Sequence, residues 1–267
     1  MLNDAAYVGY ELSEVLKQQG VNIQLLTRSR GIFSKTLGVT WNTLKADGII
    51  HVHGAMQDAT MARLLKSLDI LHCHGTELRQ GITLKSRWGR MIQKNIEMAK
   101  IVLYSTPDLE PYAKILRSDA IYLPNPVNTE AFYYRGARRV QIPRALYITL
   151  GYEIIPKTIL KEIQNNGIWL DVVRKGSVDY FEMPQLLNNY DIFIDRFTIP
   201  SFSKTCLEAQ SMGLSTIDYR HGPERVEDLC GFEFRKESGA IDAIQVRKAH
   251  DRRNIAVKLL GIYRSLG

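Results

Sequence analysis

Short apolar, β-rich runs alternate with helical patterns along most of this 267-residue chain. Val21–Leu26, Gly48–His53 and Ile70–Cys73 are predicted strands, and a helical pattern over Gln57–Ser67 separates the last two. Strands that are spaced by helices indicate βαβ units. The alternation therefore predicts an α/β fold with mostly parallel sheets.

The alternation is interrupted once, over Asn125–Pro143, a stretch with little periodicity that includes two prolines and a basic run. We therefore expect two α/β domains: residues 1–133, a linker over 134–144, and residues 145–267. Only Met1-Leu2-Asn3 precedes the first predicted helix, Ala5–Gln19, so the first strand is expected to be missing or truncated. A ligand site is expected in the cleft between the domains, at the carboxyl ends of the strands.

Charge and composition narrow the range of partners and compartments. The chain has 35 Lys and Arg against 28 Asp and Glu, a net charge of +7 that favours anionic partners. No apolar run reaches 18 residues, and the first residues do not resemble a signal peptide. Three widely spaced cysteines do not suggest a disulfide framework. We expect a cytoplasmic protein.

Two His-x-His pairs, His51/His53 and His72/His74, are candidate metal ligands, because residues i and i+2 of a strand share a face. A metal-dependent hydrolase would need further ligands downstream, where only His221 and His250 remain. The alternative is that these are strand-end histidines with satisfied hydrogen bonds. We expect no metal and no cofactor.

Two positions can carry other chemistry. His74 follows a strand, where an imidazole is a good hydrogen-bond donor or base near neutral pH. Ser203 is a credible N-cap, and the first-turn N–H groups together with Lys204 could bind a phosphate. Glu208, one turn on, could accept hydrogen bonds from sugar hydroxyls. The alternative is a capped helix with a solvated lysine and glutamate.

Six segments occur in an order and spacing that we compared with known families: Asp47–Gly54 with its D-x-I-I-H-x-H, Ile70–Gly75 ending in His-Gly, Leu123–Phe132 with P-N-P-V-N, Tyr190–Ile194, Leu207–Gly213 with L-E-A-x-x-x-G, and His221–Glu224. Together they resemble the retaining GT-B glycosyltransferases of family 4. Each motif is degenerate, but their shared order over roughly residues 5–228 makes the set fairly specific.

The resemblance implies a GT-B-like fold of two Rossmann-like domains that face each other across a cleft, with the last helix packing back on the first domain. It implies metal-independent, retaining transfer of a sugar from a nucleotide-sugar to a glycan or lipid-linked acceptor. The catalytic residues would be His74, which would lie beside the transferred sugar, and Glu208, which would hold the donor ribose. Since Glu208 would be exposed in the cleft, Glu208→Gln should leave the melting temperature nearly unchanged. The donor-binding residues would be Lys157, Arg196, Ser203, Lys204, Thr205 and Glu208, and those on the acceptor side Asp4, Thr76, Glu77 and Asn125.

The chain departs from the family pattern at several positions. The first of the family's two glutamates falls on Pro200, the expected arginine on Tyr152, and the glycine-rich loop on Asp4-Ala5-Ala6. Arg196 and Lys204 could replace the missing charge. The alternative function is a degenerate GT-B protein that binds nucleotide or glycan without catalysis.

A further segment mixes cations with apolar residues, which suits an anionic membrane surface. The alternative is an ordinary helix with a solvated basic face. A nucleic-acid partner is not expected, since only the net charge suggests one and no nucleic-acid-binding motif is present. The membrane-facing candidates are Lys85, Arg87, Trp88, Arg90 and Lys94.

Overall fold

The computed structural model describes residues 1–2, 4, 6–27, 32–136, 142–149, 151, 155–221 and 236–266. The chain divides into two compact units. Unit 1 comprises Met1–Pro126 and Arg252–Gly267, and unit 2 comprises Val127–Asp251. Of the sequence-based candidates, Tyr152, Cys230 and residues 222–224 lie outside the described residues.

Unit 1 is built on a parallel sheet with the strand order β1-β2-β3-β4. The register places His53 opposite His72, and His72 opposite Leu103. Leu2 extends the sheet beyond β1 by forming parallel bridges to Val52 and Leu26. The strands are β1 (His51–His53), β2 (Ile70–Cys73), β3 (Ile101–Tyr104) and β4 (Ile121–Tyr122).

Helices cover both faces of this sheet. On one face the core contains Val52, Leu71 and Val102, and on the other it contains Ile70 and Leu103. This alternation arises because successive strand residues point to opposite faces. The helices of unit 1 are α1 (Val8–Gln18), α2 (Ile32–Lys45), α3 (Gln57–Leu65), α4 (Thr76–Arg79), α5 (Arg87–Met98), α6 (Glu110–Leu116) and α11 (Arg252–Arg264).

Unit 2 repeats the design, with a second parallel sheet in the order β6-β5-β7-β8. Its two core clusters lie on opposite faces of β5, with Leu146 in one and Ala145 and Tyr147 in the other. The elements are β5 (Arg144–Thr149), α7 (Lys157–Asn165), β6 (Trp169–Arg174), α8 (Met183–Leu187), β7 (Ile192–Ile194), α9 (Lys204–Ser211), β8 (Ser215–Ile217) and α10 (Lys236–His250).

The division between the units falls at Pro126–Val127, before the linker expected over 134–144. The physical reason is that the side chains of Val127 and Phe132 are buried in the core of unit 2. The Ser211 hydroxyl also donates to the Phe132 carbonyl at 2.6 Å. Both residues were expected in the first domain, within the aperiodic stretch Asn125–Pro143, whereas they pack in the core of unit 2.

The C-terminal helical pattern over Ile241–Leu266 forms two helices rather than one. Asp251 interrupts it, because this residue pairs with Val127 and its carboxylate accepts a hydrogen bond from the Thr129 hydroxyl. The second helix, α11, packs on α1 within unit 1, where Arg252 forms a 2.8 Å ion pair with the buried Glu11.

The prediction of a strand over Val21–Leu26 is wrong, because these residues do not form a ladder of hydrogen bonds with another strand. Only Leu26 forms a bridge, and its partner is Leu2. The Leu26 N–H donates to the Met1 carbonyl at 2.9 Å, and the Leu2 N–H donates to the His51 carbonyl at 2.7 Å. Leu2 therefore pairs with both Leu26 and Val52, where the first strand was expected, and Leu26 is the one residue of Val21–Leu26 assigned to a bridge.

Asp69 joins three strands of unit 1 at their N-terminal ends. Its buried carboxylate accepts from the Ile50 N–H at 2.8 Å and the Ser67 hydroxyl at 2.9 Å, and pairs with Lys100 at 2.7 Å. Burial alone would raise the pKa of Asp69, but these three partners outweigh it and hold the pKa below its usual value.

We predict that Asp69→Asn lowers the free energy of unfolding by about 1.5–3 kcal/mol at pH 7, because hydrogen bonds to a buried charge are lost. A depressed carboxyl pKa stabilises the fold above the unfolded pKa of about 3.9, and this contribution disappears as the pH falls through the folded value. Urea titration should therefore show the difference from wild type shrinking below about pH 4.

Asp119→Asn is the matched control. Asp119 pairs with Arg117 at 2.7 Å but is 64% exposed, so the substitution should cost at most about 1 kcal/mol. Equal losses for the two variants would contradict the role assigned to Asp69.

Candidate functional site

In unit 1, predicted site residues follow the carboxyl end of β2. The His74 N–H donates to the Glu77 carboxylate at 2.6 Å, and Glu77 is buried in the first turn of α4. Gly75 allows the sharp entry to this helix with a φ of 154°. Thr76 is exposed beside it. Glu77 is therefore a residue that shapes the turn, and Thr76 offers a hydroxyl to solvent.

The His74 ring is held by two side chains. Its Nε2 lies 3.0 Å from Nδ1 of His53, and the ring also hydrogen-bonds to the Asn125 side chain. Burial lowers the pKa of His74 to about 4, although the Asn125 bond opposes the shift. The ring is therefore neutral at pH 7, with one donor and one acceptor nitrogen, and it brings no positive charge to a ligand.

The other three strand histidines form a buried row on the same face of the sheet. The His51 and His53 rings stack at 4.5 Å, and the His53 and His72 rings lie 5.2 Å apart. One ligand atom from each of the three lies within 4.8 Å of the others. These residues could hold a metal ion, and the parallel register that brings them together was not used in the sequence analysis.

Asp4 caps the first helix of unit 1. Its carboxylate accepts from the Gly9 N–H at 2.7 Å and the Tyr10 N–H at 3.2 Å. Ala6, in the segment where the resemblance expected a glycine-rich loop, and its neighbour Tyr7 have positive φ values of 54° and 60°. Such strain in non-glycine residues is found preferentially at functional sites. Asp4 therefore organises this loop, whatever it contacts in a ligand.

In unit 2, Ser203 caps α9 as predicted from its residue type, with its hydroxyl accepting from the Cys206 N–H at 3.0 Å. The Ser203 N–H, however, donates to the carboxylate of Asp195 at 2.8 Å. Asp195 is buried, and burial raises its pKa. The sequence analysis missed this residue, although a polar residue directly after a buried strand was a signal.

Lys204 and Glu208 bind each other. The Lys204 ammonium contacts the Glu208 carboxylate and donates to the Tyr180 hydroxyl at 2.7 Å, and this hydroxyl donates to Glu208 at 3.1 Å. The side chains of Lys204 and Glu208 are only 6% and 2% exposed. The expectation that Glu208 is an exposed cleft residue is therefore wrong, because i,i+4 spacing on α9 made this ion pair.

The remaining donor-side candidates lie near the carboxyl ends of neighbouring strands. Lys157 begins α7 after β5 and is exposed, and Arg196 follows β7, which pairs with β5 in parallel. The Arg196 Nε is buried without a hydrogen-bond partner among the described residues. Thr205 is half-buried in the first turn of α9, and Pro200 is exposed.

Helix α5 carries the basic segment. Ser86 caps it by accepting from the Gly89 N–H at 3.2 Å, while Ile92 is buried in the core. Trp88 is 52% exposed despite its size. The exposed cations on and before this helix are Lys85, Arg87, Arg90 and Lys94, as predicted for the basic face.

No model of a known protein family matches the chain, and no curated protein sequence matches it. Several solved structures are similar to the chain. Sucrose-phosphate synthase from Thermosynechococcus elongatus is similar over 96% of this chain and 92% of its own length, with a TM-score of 0.65 and 12% identity. The catalytic domain of starch synthase IV from Arabidopsis thaliana, solved with ADP and acarbose, is similar over 86% and 75%, with a TM-score of 0.52 and 13% identity.

S. aureus TarM, as a G117R mutant solved with Fondaparinux, alpha-GlcNAc-glycerol and UDP, is similar over 86% of this chain and 59% of its own. Its TM-score is 0.51 and its identity 9%. The expected fold class is thus confirmed: the chain has the α/β, GT-B fold with parallel sheets. None of the helices formed by the described residues has the length and apolarity needed to cross a membrane.

We predict that Glu208→Gln lowers the free energy of unfolding by about 3 kcal/mol, because Lys204 is left as a buried charge without its counter-ion. In a protein of this size the melting temperature should fall by roughly 10 °C in calorimetry. The double variant Glu208→Gln with Lys204→Met should recover part of the loss, since the two residues interact directly.

Glu182→Gln is the control, because Glu182 is an exposed glutamate of the same unit. It should shift the melting temperature by less than about 2 °C. A Glu208→Gln variant as stable as this control would rule out the buried pair.

Proposed function

We propose that the protein is a glycosyltransferase that moves a sugar from a nucleotide-sugar to a glycan or lipid-linked acceptor, with retention and without a metal at the reacting centre. The observation that carries this proposal is the GT-B fold, matched over 96% of the chain by a sucrose-phosphate synthase. Two further matched structures were solved with ADP or UDP, which supports a nucleoside diphosphate leaving group.

Unit 2 would hold the donor. The leaving diphosphate carries growing negative charge, and cations fixed near it would stabilise that charge in the transition state. Since Lys204 is neutralised by Glu208, other cations near the carboxyl ends of the strands would carry more of this task. We assign it to Lys157 and Arg196, with the Thr205 hydroxyl as a further donor. Ser203 would contribute by capping the helix that presents Thr205.

Unit 1 would bind the acceptor. His74 would hydrogen-bond a sugar hydroxyl with its neutral ring by exchanging one of its present bonds, to Asn125 or to His53. Thr76 would offer its exposed hydroxyl, and Asp4 and Glu77 would fix the two loops that surround these groups. The role of His74 is one of hydrogen bonding, because its pKa of about 4 leaves it uncharged at neutral pH.

A lipid-linked acceptor would bring the protein to a membrane surface from the cytoplasm. The exposed cations of α5 and the exposed Trp88 support this, because such a combination binds anionic lipid headgroups and the interfacial layer. The attachment would be peripheral.

A second candidate function is a GT-B protein that binds nucleotide or glycan without catalysis. Two observations favour it. The charge of Lys204 is neutralised by Glu208, and the buried carboxyl of Asp195 accepts a hydrogen bond from the Ser203 N–H at the start of α9. Both features remove positive charge that would otherwise meet a diphosphate. Transfer or hydrolysis of sugars from a panel of nucleotide-sugars would separate the enzyme from the binding protein.

We predict that Lys157→Ala weakens binding of the best nucleoside diphosphate by about tenfold, since a charge-assisted hydrogen bond contributes about 1.5–3 kcal/mol. Binding of the free nucleoside should change little, because it lacks the phosphates. Calorimetric titration measures both affinities.

Lys161→Ala is the control for this titration, because Lys161 is exposed one turn further along the same helix. It should leave both affinities unchanged. Equal effects of the two variants would remove Lys157 from the donor site, and a lack of nucleotide binding by wild type would argue against both candidate functions.

We predict that Arg90→Glu with Lys94→Glu weakens binding to vesicles containing anionic lipid by at least about 30-fold, because each basic residue near the surface contributes about 1 kcal/mol. Lys258→Glu with Lys248→Glu makes the same charge change elsewhere on exposed positions and should have a smaller effect. Vesicle sedimentation at two salt concentrations measures this, and equal losses in the two double variants would indicate only a net-charge effect.

A further inference from the structure

Three buried imidazoles of unit 1 lie together, and the proposed function uses only His53 among them, through its bond to His74. His51, His53 and His72 have relative exposures of 1%, 0% and 0%. One ligand atom from each lies within 4.8 Å of the other two. They share one face of β1 and β2 because the parallel register pairs His53 with His72, and His51 lies two residues before His53.

The polar atoms of this cluster are not all satisfied by the protein. The His51 Nε2 and both ring nitrogens of His72 form no hydrogen bond within the described part of the chain. The Leu123 main chain lies near His72 and favours its charged form, but the geometry is not that of a normal hydrogen bond. Buried polar atoms without partners are rare and require a physical explanation.

We propose that His51, His53 and His72 bind one zinc ion as a structural metal centre of unit 1. Three imidazole nitrogens suit zinc, which prefers nitrogen and sulfur ligands and imposes no geometry beyond its tetrahedral tendency. Carboxylate-preferring cations such as magnesium do not fit a set of three imidazoles. The ion would bind the Nε2 of His51 and one ring nitrogen of His72, which accept or donate no hydrogen bond among the described residues.

The neighbouring groups are those that metal-binding histidines require. The Nδ1 of His51 is 2.8 Å from the Tyr263 hydroxyl, and the Nδ1 of His53 is 3.0 Å from His74. A ligating histidine typically uses its second nitrogen for such a bond, which fixes the ring and its tautomer. Both contacts therefore assign Nε2 as the coordinating atom of His51 and His53.

The backbone of Gly9 lies close against the cluster. A Cβ on this residue would lie 3.3 Å from the His53 Nε2 and 3.2 Å from the Asp4 Oδ1. Tetrahedral zinc with bonds of about 2.0–2.1 Å holds its ligands about 3.4 Å apart, so the three nitrogens need to close by up to about 1.5 Å. Small side-chain rotations would supply such a movement.

Charge and access also permit a cation. Burial lowers the pKa of all three rings well below the usual range, which keeps them in the neutral form that binds metals. The Met1 amino group interacts with His51 and His53, but burial lowers its pKa to about 6, so it is mostly uncharged at neutral pH. A cavity of about 320 Å³ reaches Tyr263, whose hydroxyl contacts His51.

This inference replaces the sequence-based expectation of no metal. That expectation rested on the lack of further ligands downstream, whereas the ligands here come from the two His-x-His pairs themselves. It is independent of the proposed transferase function, because the ion would hold the sheet and not contact the donor.

The test uses the untagged full-length chain, stripped with chelator, dialysed, and loaded with zinc. We expect elemental analysis to find about one equivalent of bound zinc, and saturating zinc to raise the melting temperature by about 5–10 °C. Cobalt in place of zinc should give a visible absorption band of tetrahedral intensity, which reports imidazole coordination directly. Less than about 0.2 equivalents of zinc with no change in melting temperature would overturn the proposal.

Variants locate the ion. His72→Leu should weaken zinc binding at least about 100-fold and abolish the cobalt band, and Tyr263→Phe, which keeps all three ligands, should weaken it about 10–100-fold. His250→Gln, a histidine of unit 2, is the control and should bind zinc as wild type does. If His72→Leu does not fold, the zinc affinity of Tyr263→Phe still tests the assignment. Zinc binding unaffected by either variant would place the ion elsewhere and overturn the assignment.

Discussion

The parallel pairing of β1 with β2 is the constraint on which most of unit 1 depends. It fixes His53 opposite His72, and with that register it places four histidines on the face that α1 and α11 cover. It also sets the strand end from which His74 and the Glu77 turn begin. A shift by one residue would turn all these side chains to the other face and remove the site.

The sequence was sufficient to predict the fold class, because an alternation of short apolar strands with helices leaves few architectures other than a parallel sheet. It also located β2 at its observed position. It failed where a long-range contact overrides local pattern. Asp251 breaks a continuous helical periodicity by pairing with Val127, and Val21–Leu26 lacks a partner longer than Met1–Leu2.

The sequence could predict where the candidate site residues lie, but not which of them already form hydrogen bonds or ion pairs within the protein. Residues after parallel strands meet at one edge of a sheet, so His74, Asn125 and Arg196 could be found from the chain alone. Which of them are already bonded depends on packing. Lys204 and Glu208 show this. Their i,i+4 spacing permits an ion pair, but it is their burial beside Tyr180 that excludes solvent from the pair.

That pair changes how a diphosphate could be held in unit 2. A phosphate would have to compete with Glu208 for the Lys204 ammonium and with Asp195 for the Ser203 N–H. In each exchange the free energy of the bond that is lost offsets most of the free energy of the bond that is gained. Burial raises the pKa of Asp195, so its protonated form is more accessible than that of an exposed carboxyl. Loss of that charge would ease phosphate binding at α9. If unit 2 binds a nucleoside diphosphate as proposed, calorimetric titration should show its affinity increasing as the pH falls and Asp195 gains a proton.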